Sequence, residues 1–194
     1  METPMALPER VAKWHIKLDD DQMTVAEAFA SIQSIALKQE DIPLIIQLVE
    51  NPKFDIPGIN LFNGATGLKA HDYIHVLLGR GVAPKDEAFV LGFTMGSTNR
   101  VTTTEERLYS FFAKYLYPKV YQMNDEDLQV FKDAVRLGYV SDCTPLDTVD
   151  FEQYSNHSLK DAREAIGLEV DLLKAYFAIE KKRYPDSRES QRNL

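Results

Sequence analysis

The sequence predicts an all-α fold of about seven to eight helices in a single domain, with a candidate metal motif on one helix and the start of the next. Helix-capping residues recur along the chain, and the longer segments repeat apolar residues at helical spacing. No segment of useful length alternates apolar and polar residues as a half-buried strand would. A chain of 194 residues is long enough for one well-filled core. We therefore expect one domain over residues 1–185, followed by a polar, disordered tail over residues 186–194.

Three helices are predicted in the first part of the chain. The first, in "TVAEAFASIQSIALKQ", opens with a capping box formed by Thr24 and Glu27. The second, over residues 41–51, has a proline in its first turn and stops before the next proline. The third runs from about residue 67 to residue 78 and is ended by Gly79 and Gly81.

The rest of the chain contains five predicted helices. One begins at Pro84 or Lys85, and the next, "TTEERLYSFFAKYLYPKVYQ", should be kinked or ended by Pro118. The segment "NDEDLQVFKDAVRLG" has Asn124 as its cap and Gly138 as its predicted end. The last two helices lie in "SLKDAREAIG" and "VDLLKAYFAIEKKRYP".

Two patterns concern packing. Gly92 and Gly96 are small residues four positions apart, which favours a close contact between two helices. The segment "LYSFFAKYLYPKVY" holds too many aromatic residues for one helix face. We interpret them as core residues plus exposed tyrosines, with an apolar ligand channel or a dimer face as the alternative.

Charge and hydropathy narrow the function classes. The formal net charge of −8 and the pI of about 5.0 argue against electrostatic binding to nucleic acid. No apolar run approaches the roughly 20 residues that a transmembrane helix needs. The N-terminus resembles neither a signal peptide nor a transit peptide. We therefore expect a cytoplasmic protein that attaches to membranes at most peripherally.

The single cysteine, Cys143, allows no internal disulfide, so a metal site would be built from histidine and carboxylate ligands. No neighbour of Cys143 in sequence suggests a nucleophile, and we expect an inert thiol. His15 and His157 lie in polar or amphipathic contexts and are interpreted as surface or capping residues.

The stretch "HDYIHVLLGRGVAPKDE" carries the candidate metal ligands. On a helix, His75 lies about 40° and Asp72 about 100° around the axis from His71, so the three side chains share one sector. Two glycines and a proline then allow the chain to reverse, and Glu87 on the next helix would return beside the histidines. Imidazole and carboxylate ligands suit Zn²⁺, Mn²⁺ and Fe²⁺, and Mg²⁺ is also compatible.

The same spacing also fits a solvated helix face that carries two histidines by chance. Two observations favour the metal site. The histidine pair is embedded in apolar neighbours, from Ile74 to Leu78, and two of the four histidines of the chain fall within five residues.

Several metal-site motifs do not match. The zincin motif HExxH requires a glutamate where this chain has Asp72. Phosphohydrolases of the His-Asp type need a further upstream histidine, and His15 has no matching context. The paired ExxH motifs of di-iron bundles are not present in the sequence.

The pattern HDxxH, eleven residues, then Glu resembles the signature of the fourth numbered protein of coenzyme Q (ubiquinone) biosynthesis and its bacterial relatives. The four matching positions are His71, Asp72, His75 and Glu87. The stretches "HVLLGRG" and "SLKDAREAIGLE" are also similar to segments of that family. The good resemblance spans roughly residues 68–100. The segment before the motif departs from the family pattern, which indicates a divergent bacterial relative.

The resemblance implies an all-α, often dimeric protein in which the four motif residues hold a divalent metal, with zinc the usual assignment. It implies a membrane-surface role in holding a polyprenylated ring precursor, its head group at the metal and its tail in an apolar channel. The aromatic helix over residues 104–122 and the segment "FVLGFTM" are candidates for that channel. The family is linked to removal of the ring C1 carboxyl group with oxidative replacement by hydroxyl, and to organising other quinone-biosynthesis proteins.

Two functions follow from these expectations. The first is a metal-dependent enzyme acting on a polyprenyl-ring or polyprenyl-phosphate lipid. The second is a non-catalytic isoprenoid-lipid-binding or scaffold protein for a biosynthetic complex, in which the motif orders two helices or anchors a head group. No side chain is assigned as a catalytic acid, base or nucleophile.

Overall fold

The computed structural model describes residues 9–35, 64, 66–117, 119 and 122–192. The α-helices in these ranges are α1 (Glu9–Lys13), α2 (Val25–Gln33), α3 (Leu68–Leu78), α4 (Pro84–Ser97), α5 (Thr103–Phe111), α6 (Asp125–Val140), α7 (Leu159–Ala165) and α8 (Val170–Arg183). A π-helical turn (Phe112–Leu116) follows α5, and two 3₁₀ turns (Leu146–Thr148 and Phe151–Tyr154) precede α7. Within the described part of the chain, β-type pairing is limited to one isolated bridge between Thr24 and Ser158. The predicted all-α fold is confirmed, while the helix predicted over residues 41–51 lies outside the described residues.

Capping residues begin the helices where the sequence predicts. Thr24 and Glu27 form the predicted capping box at the start of α2, with hydrogen bonds of 3.2 and 2.9 Å. Asn124 caps α6 by accepting a hydrogen bond from the Asp127 N–H at 3.0 Å. Each cap satisfies backbone donors that the first turn leaves unpaired, which fixes where its helix begins.

Helices α4 and α6 pack closely through glycines. A β-carbon on Gly92 or on Gly96 would lie well within 3.0 Å of a backbone carbonyl oxygen of α6, closer than real β-carbons approach such atoms. The predicted close helix contact is therefore confirmed. The carbonyl oxygens concerned belong to Phe131 and Val135.

Gly138 does not end α6, which continues to Val140, so that prediction was wrong. A β-carbon on Gly138 would meet the Phe93 carbonyl oxygen of α4. This glycine therefore serves the close helix contact, and the helix ends at Val140 because the next residue, Ser141, has an extended backbone.

Helix α3, which carries the candidate histidines, lies inside the main core. Every residue from Asp72 to Leu78 is buried. Tyr73 stacks on Phe29 of α2, with ring centroids 4.1 Å apart, and on Phe151 at 5.7 Å. Burial on several sides holds the helix rigidly, which suits a helix that positions ligands.

A second core cluster joins α4, α6 and the aromatic segment. Tyr109 of α5 and Ala113 of the π-helical turn pack here with Ala88 of α4. Other aromatic side chains of the same segment face solvent, including Phe111 at 51% and Tyr115 at 60% exposure. The segment thus combines core residues with exposed ones, and the predicted break at Pro118 lies outside the described residues.

The tail predicted to be disordered instead contacts the body of the protein over residues 187–192. Ser190 is buried, and its hydroxyl donates to Glu180 of α8 at 2.8 Å. Arg192 forms an ion pair with buried Asp86 of α4. The sequence suggested disorder because the segment is polar. Composition alone does not show that these polar groups pair with buried residues of the protein body.

No helix in the described part of the chain is both long and apolar enough to cross a bilayer.

Candidate metal centre

Helix α3 presents two histidines from one face. Gly67 is its N-cap, and the Gly67 carbonyl accepts a hydrogen bond from the His71 N–H at 3.0 Å, while Gly79 is its C-cap. His71 and His75 are one turn apart, and their Nε2 atoms are 2.9 Å from each other. The predicted shared sector therefore brings two imidazole nitrogens together.

The chain reverses after α3 and delivers a carboxylate to these nitrogens. Gly79 adopts a left-handed conformation, with φ of 67°, which a side chain would disfavour. Pro84 then occupies the first turn of α4. Glu87, in the same turn, places Oε2 3.0 Å from His71 Nε2 and Oε1 3.3 Å from His75 Nε2.

The reversal also orients His75. The ring Nδ1 of His75 lies 2.7 Å from the Gly81 carbonyl oxygen. A carbonyl oxygen only accepts hydrogen bonds, so Nδ1 carries a proton and donates, and Nε2 is the ring atom that faces His71 and Glu87. Sequence reasoning treated Gly81 only as a helix breaker and missed this contact.

His71, His75 and Glu87 form a group that could hold a metal ion, because one ligand atom from each lies within 4.8 Å of the others. Tetrahedral zinc with bonds of about 2.0–2.1 Å requires ligand atoms about 3.3 Å apart. The observed separations of 2.9, 3.0 and 3.3 Å need to expand by only a few tenths of an ångström.

The charge of Glu87 suits this role. Burial acts to raise the pKa of this carboxyl group, but His75 and then His71 outweigh it and hold the pKa well below its usual range. Glu87 is therefore an ionised carboxylate at neutral pH, which is the form that binds metal ions.

Asp72 lies outside the three-residue group. Its side chain turns toward α2, where the Gln33 amide donates a hydrogen bond to Oδ2. Burial raises the pKa of Asp72, although His71 and His75 act against the rise. Asp72 as a fourth ligand stays a prediction, and the Gln33 contact had no signal in the sequence because the two residues are 39 positions apart.

The three ligands differ in accessibility. The His75 side chain is only 1% exposed, whereas those of His71 and Glu87 are 16% and 28% exposed. The group is closed on the side of the protein core and reachable from solvent on the side of His71 and Glu87.

The remaining candidates lie elsewhere. His15 Nδ1 is 3.2 Å from the Lys13 carbonyl oxygen, and His157 is exposed beside Tyr154. Burial, with a smaller contribution from Glu169, raises the pKa of the Cys143 thiol to about 12, which agrees with an inert thiol.

Comparison with known proteins adds no relative to this picture. No protein-family model, no curated protein and no solved structure matches the chain. The likeness to the coenzyme Q biosynthesis family therefore rests on the HDxxH-x11-E motif, three of whose four residues the fold brings together.

Proposed function

We propose that this chain is a metal-binding protein of quinone or isoprenoid-lipid metabolism. In this proposal His71, His75 and Glu87 hold a divalent metal, and the metal holds the head group of a polyprenylated ring precursor or a polyprenyl phosphate. The support comes from the motif together with the geometry of the three ligands.

Zinc is the metal we propose. Two imidazole nitrogens and one carboxylate are a ligand set found in catalytic zinc sites. Magnesium prefers an all-oxygen environment, so two imidazoles disfavour it. Manganese and iron accept the same donors and are the alternatives that metal analysis must separate from zinc.

The observation that carries the proposal is the open side of the site. Structural zinc sites use four protein ligands and are closed, whereas catalytic or ligand-binding sites keep a position for an outside group. Here His75 is buried while His71 and Glu87 are partly exposed. A carboxylate or phosphate head group that approaches from this side would complete the coordination of the metal.

The aromatic segment is our candidate for contact with the isoprenoid tail. Tyr109 and Ala113 belong to the same core cluster as Ala88, the residue after Glu87, so the segment lies near the helix that carries a candidate ligand. Its exposed apolar residues are Leu108, Phe111, Tyr115 and Leu116. The alternative segment over residues 89–95 is buried within the protein, mainly in the two core clusters, and is not part of this proposal.

The proposal has a catalytic form and a binding form. In the catalytic form, the metal would supply a Lewis acid at the head group for the C1 carboxyl removal that the resemblance implies, in which carbon dioxide leaves. Replacement of the carboxyl group by hydroxyl would in addition consume an external two-electron oxidant such as dioxygen. In the binding form, the protein only holds or presents the lipid. The environment of Asp72 favours the binding form. Catalysis would need an acid or base free to act beside the metal, but Asp72 is 5% exposed and its carboxylate already accepts a hydrogen bond from Gln33.

Native mass spectrometry with elemental analysis tests the metal site. We expect about one zinc ion per chain in the wild type and almost none in the double variant His71→Ala, His75→Ala, because neither imidazole ligand remains. His157→Ala is the matched control, since this exposed histidine should leave the metal content unchanged. Stoichiometric metal in the double variant would contradict the site.

The same samples, mixed with a prenylated benzoic acid or a prenyl phosphate, test the lipid. We expect a bound lipid adduct in the wild type and its loss in the double variant. Release of carbon dioxide from the benzoic acid would establish the catalytic form, and retention of the intact acid would establish the binding form. No adduct with either probe in a zinc-loaded wild type would contradict the lipid role.

A further inference from the structure

A buried cluster of two arginines and two carboxylates surrounds the reversal that presents Glu87. Arg80 lies in the reversal and Asp86 in the first turn of α4, while Glu180 comes from α8 and Arg192 from the final segment, residues 187–192. The side chains of Arg80, Asp86 and Glu180 are at most 5% exposed, and that of Arg192 is 12% exposed. Such buried charges must be paired, so the cluster constrains all four elements together.

Arg192 forms an ion pair with Asp86, the residue before the candidate ligand Glu87. Its Nη1 lies 2.6 and 2.7 Å from the two carboxylate oxygens of Asp86, and its Nη2 donates to the Ala12 carbonyl at 2.9 Å. Asp86 Oδ2 also accepts the Ala83 N–H at 3.2 Å and so caps α4. Arg192 therefore holds the side chain of Asp86, which caps α4 and directly precedes Glu87.

The same ion pair packs against the backbone that orients His75. A β-carbon on Gly81 would lie 2.5 Å from Arg192 Nη1 and 2.8 Å from Asp86 Oδ2. The Gly81 carbonyl accepts the hydrogen bond from His75 Nδ1. Arg192 is thus linked to His75 through Gly81 and to Glu87 through Asp86.

A second attachment keeps the final segment in place. Glu180 accepts hydrogen bonds from Arg80 and from the Ser190 hydroxyl, the latter at 2.8 Å. The Arg80 guanidinium lies 4.1 Å from the ring centroid of Phe89 and 4.0 Å from that of Phe177. The segment is therefore joined to the reversal both through Arg192 and through Ser190.

We infer that residues 187–192 form a positioning element of the metal centre, with Arg192 as its positioning residue. The inference rests on the proposed metal function. Groups that hold metal ligands in place without touching the metal change metal affinity about 10–100-fold when they are removed. Docking of the segment and occupation of the metal site are coupled, and the coupling acts in both directions.

Variants of two arginines in the same segment test this coupling. Arg192→Gln removes the ion pair with Asp86, whereas Arg188→Gln removes an exposed arginine that does not contact the reversal among the described contacts. We expect the zinc Kd, measured by competition with a chromogenic chelator, to rise about 10-fold or more in Arg192→Gln only. The d–d absorption spectrum of the cobalt-loaded protein should change in the same variant, because ligand geometry changes. Loss of fold stability by itself would not change the spectrum of the folded protein.

Hydrogen exchange on the wild type provides a test without substitution. Zinc should slow amide exchange in residues 187–192, because metal binding and segment docking favour each other. An Arg192→Gln protein that is folded and has the wild-type Kd and spectrum overturns the inference. If that variant does not fold, unchanged exchange in the zinc-loaded wild type overturns it. A wild type that binds no zinc overturns the proposed function and this inference together.

Discussion

At the scale of single residues, buried polar groups take the protonation state that their neighbours impose. His75 keeps its proton on Nδ1 because that atom faces the Gly81 carbonyl oxygen at 2.7 Å. Glu87 stays ionised because two imidazoles face it. Together these contacts direct His75 Nε2 and the Glu87 carboxylate toward the same point, where they could bind a metal ion with His71.

Asp127, in the first turn of α6, shows the opposite effect. This residue is 4% exposed, and burial raises the pKa of its carboxyl group to about 6, although the Asn124 N–H and Lys85 act against the rise. The folded state therefore binds the proton more tightly than the unfolded state, whose pKa is near 3.8. The free energy of unfolding therefore falls as pH rises from about 4 to about 6, and above that range the full decrease is present.

Asp127→Asn should remove this cost. The amide oxygen can still accept the Asn124 N–H, so the cap remains. We expect the variant to have a free energy of unfolding higher than the wild type by on the order of 1–3 kcal/mol at pH 7.5, with no difference near pH 4. Urea denaturation at the two pH values measures this. Asp125→Asn, at an exposed position of the same turn, is the matched control. A pH-independent difference for Asp127→Asn would contradict the assignment.

At the scale of elements, the contact between α4 and α6 determines how closely the ligand-bearing helix approaches its neighbour. Glycines on both helices allow backbone to meet backbone. Because α4 carries Glu87 at its start, the position of this helix along α6 also determines where the carboxylate lies. The helix pair thus helps to position the candidate metal centre.

Gly96→Ala should disrupt this contact. The added methyl group would overlap the Val135 carbonyl oxygen, which is backbone and cannot turn aside. We expect a loss of about 3 kcal/mol in the free energy of unfolding, measured by urea denaturation. Gly67→Ala is the matched control, because a β-carbon there meets no atom within 4 Å and should cost less than about 1 kcal/mol through the weaker helix cap alone. Equal effects of the two substitutions would show that the close contact is not required.

At the scale of the whole molecule, buried arginines connect segments that are distant along the chain. Arg163 of α7 is fully buried and donates hydrogen bonds of 3.0 Å to the carbonyls of Leu77 and Leu18. Arg80, which follows α3, donates a hydrogen bond to Glu180 of α8, and Arg192 of the final segment donates to Asp86 of α4. The last turn of the histidine helix is therefore held by contacts from several parts of the fold.

Metal binding should consequently stabilise the entire domain. A ligand present at 100 times its Kd adds about 2.7 kcal/mol to the folded state. For a protein of this size we expect zinc to raise Tm by about 5–10 °C in calorimetry. The shift should be lost in Glu87→Gln and kept in Glu164→Gln, which changes an exposed glutamate of α7. An equal shift in Glu87→Gln would mean that zinc stabilises the protein at another place.

The sequence by itself determined the helical fold and the clustering of three candidate ligands. Caps such as Thr24 and Asn124 act on backbone groups within a few residues, so their effect can be predicted locally. His71, His75 and Glu87 lie within seventeen residues, and helix periodicity with one reversal is enough to bring them together.

Only the tertiary structure decided what surrounds these ligands. Gln33 engages Asp72 across 39 positions, and Arg192 engages Asp86 across 106. Such partners depend on the packing of whole helices, which no local pattern encodes, so the tail appeared disordered and Gly138 appeared to end its helix. The ligands were predictable because they are neighbours in sequence, whereas their supports are neighbours only in the folded protein.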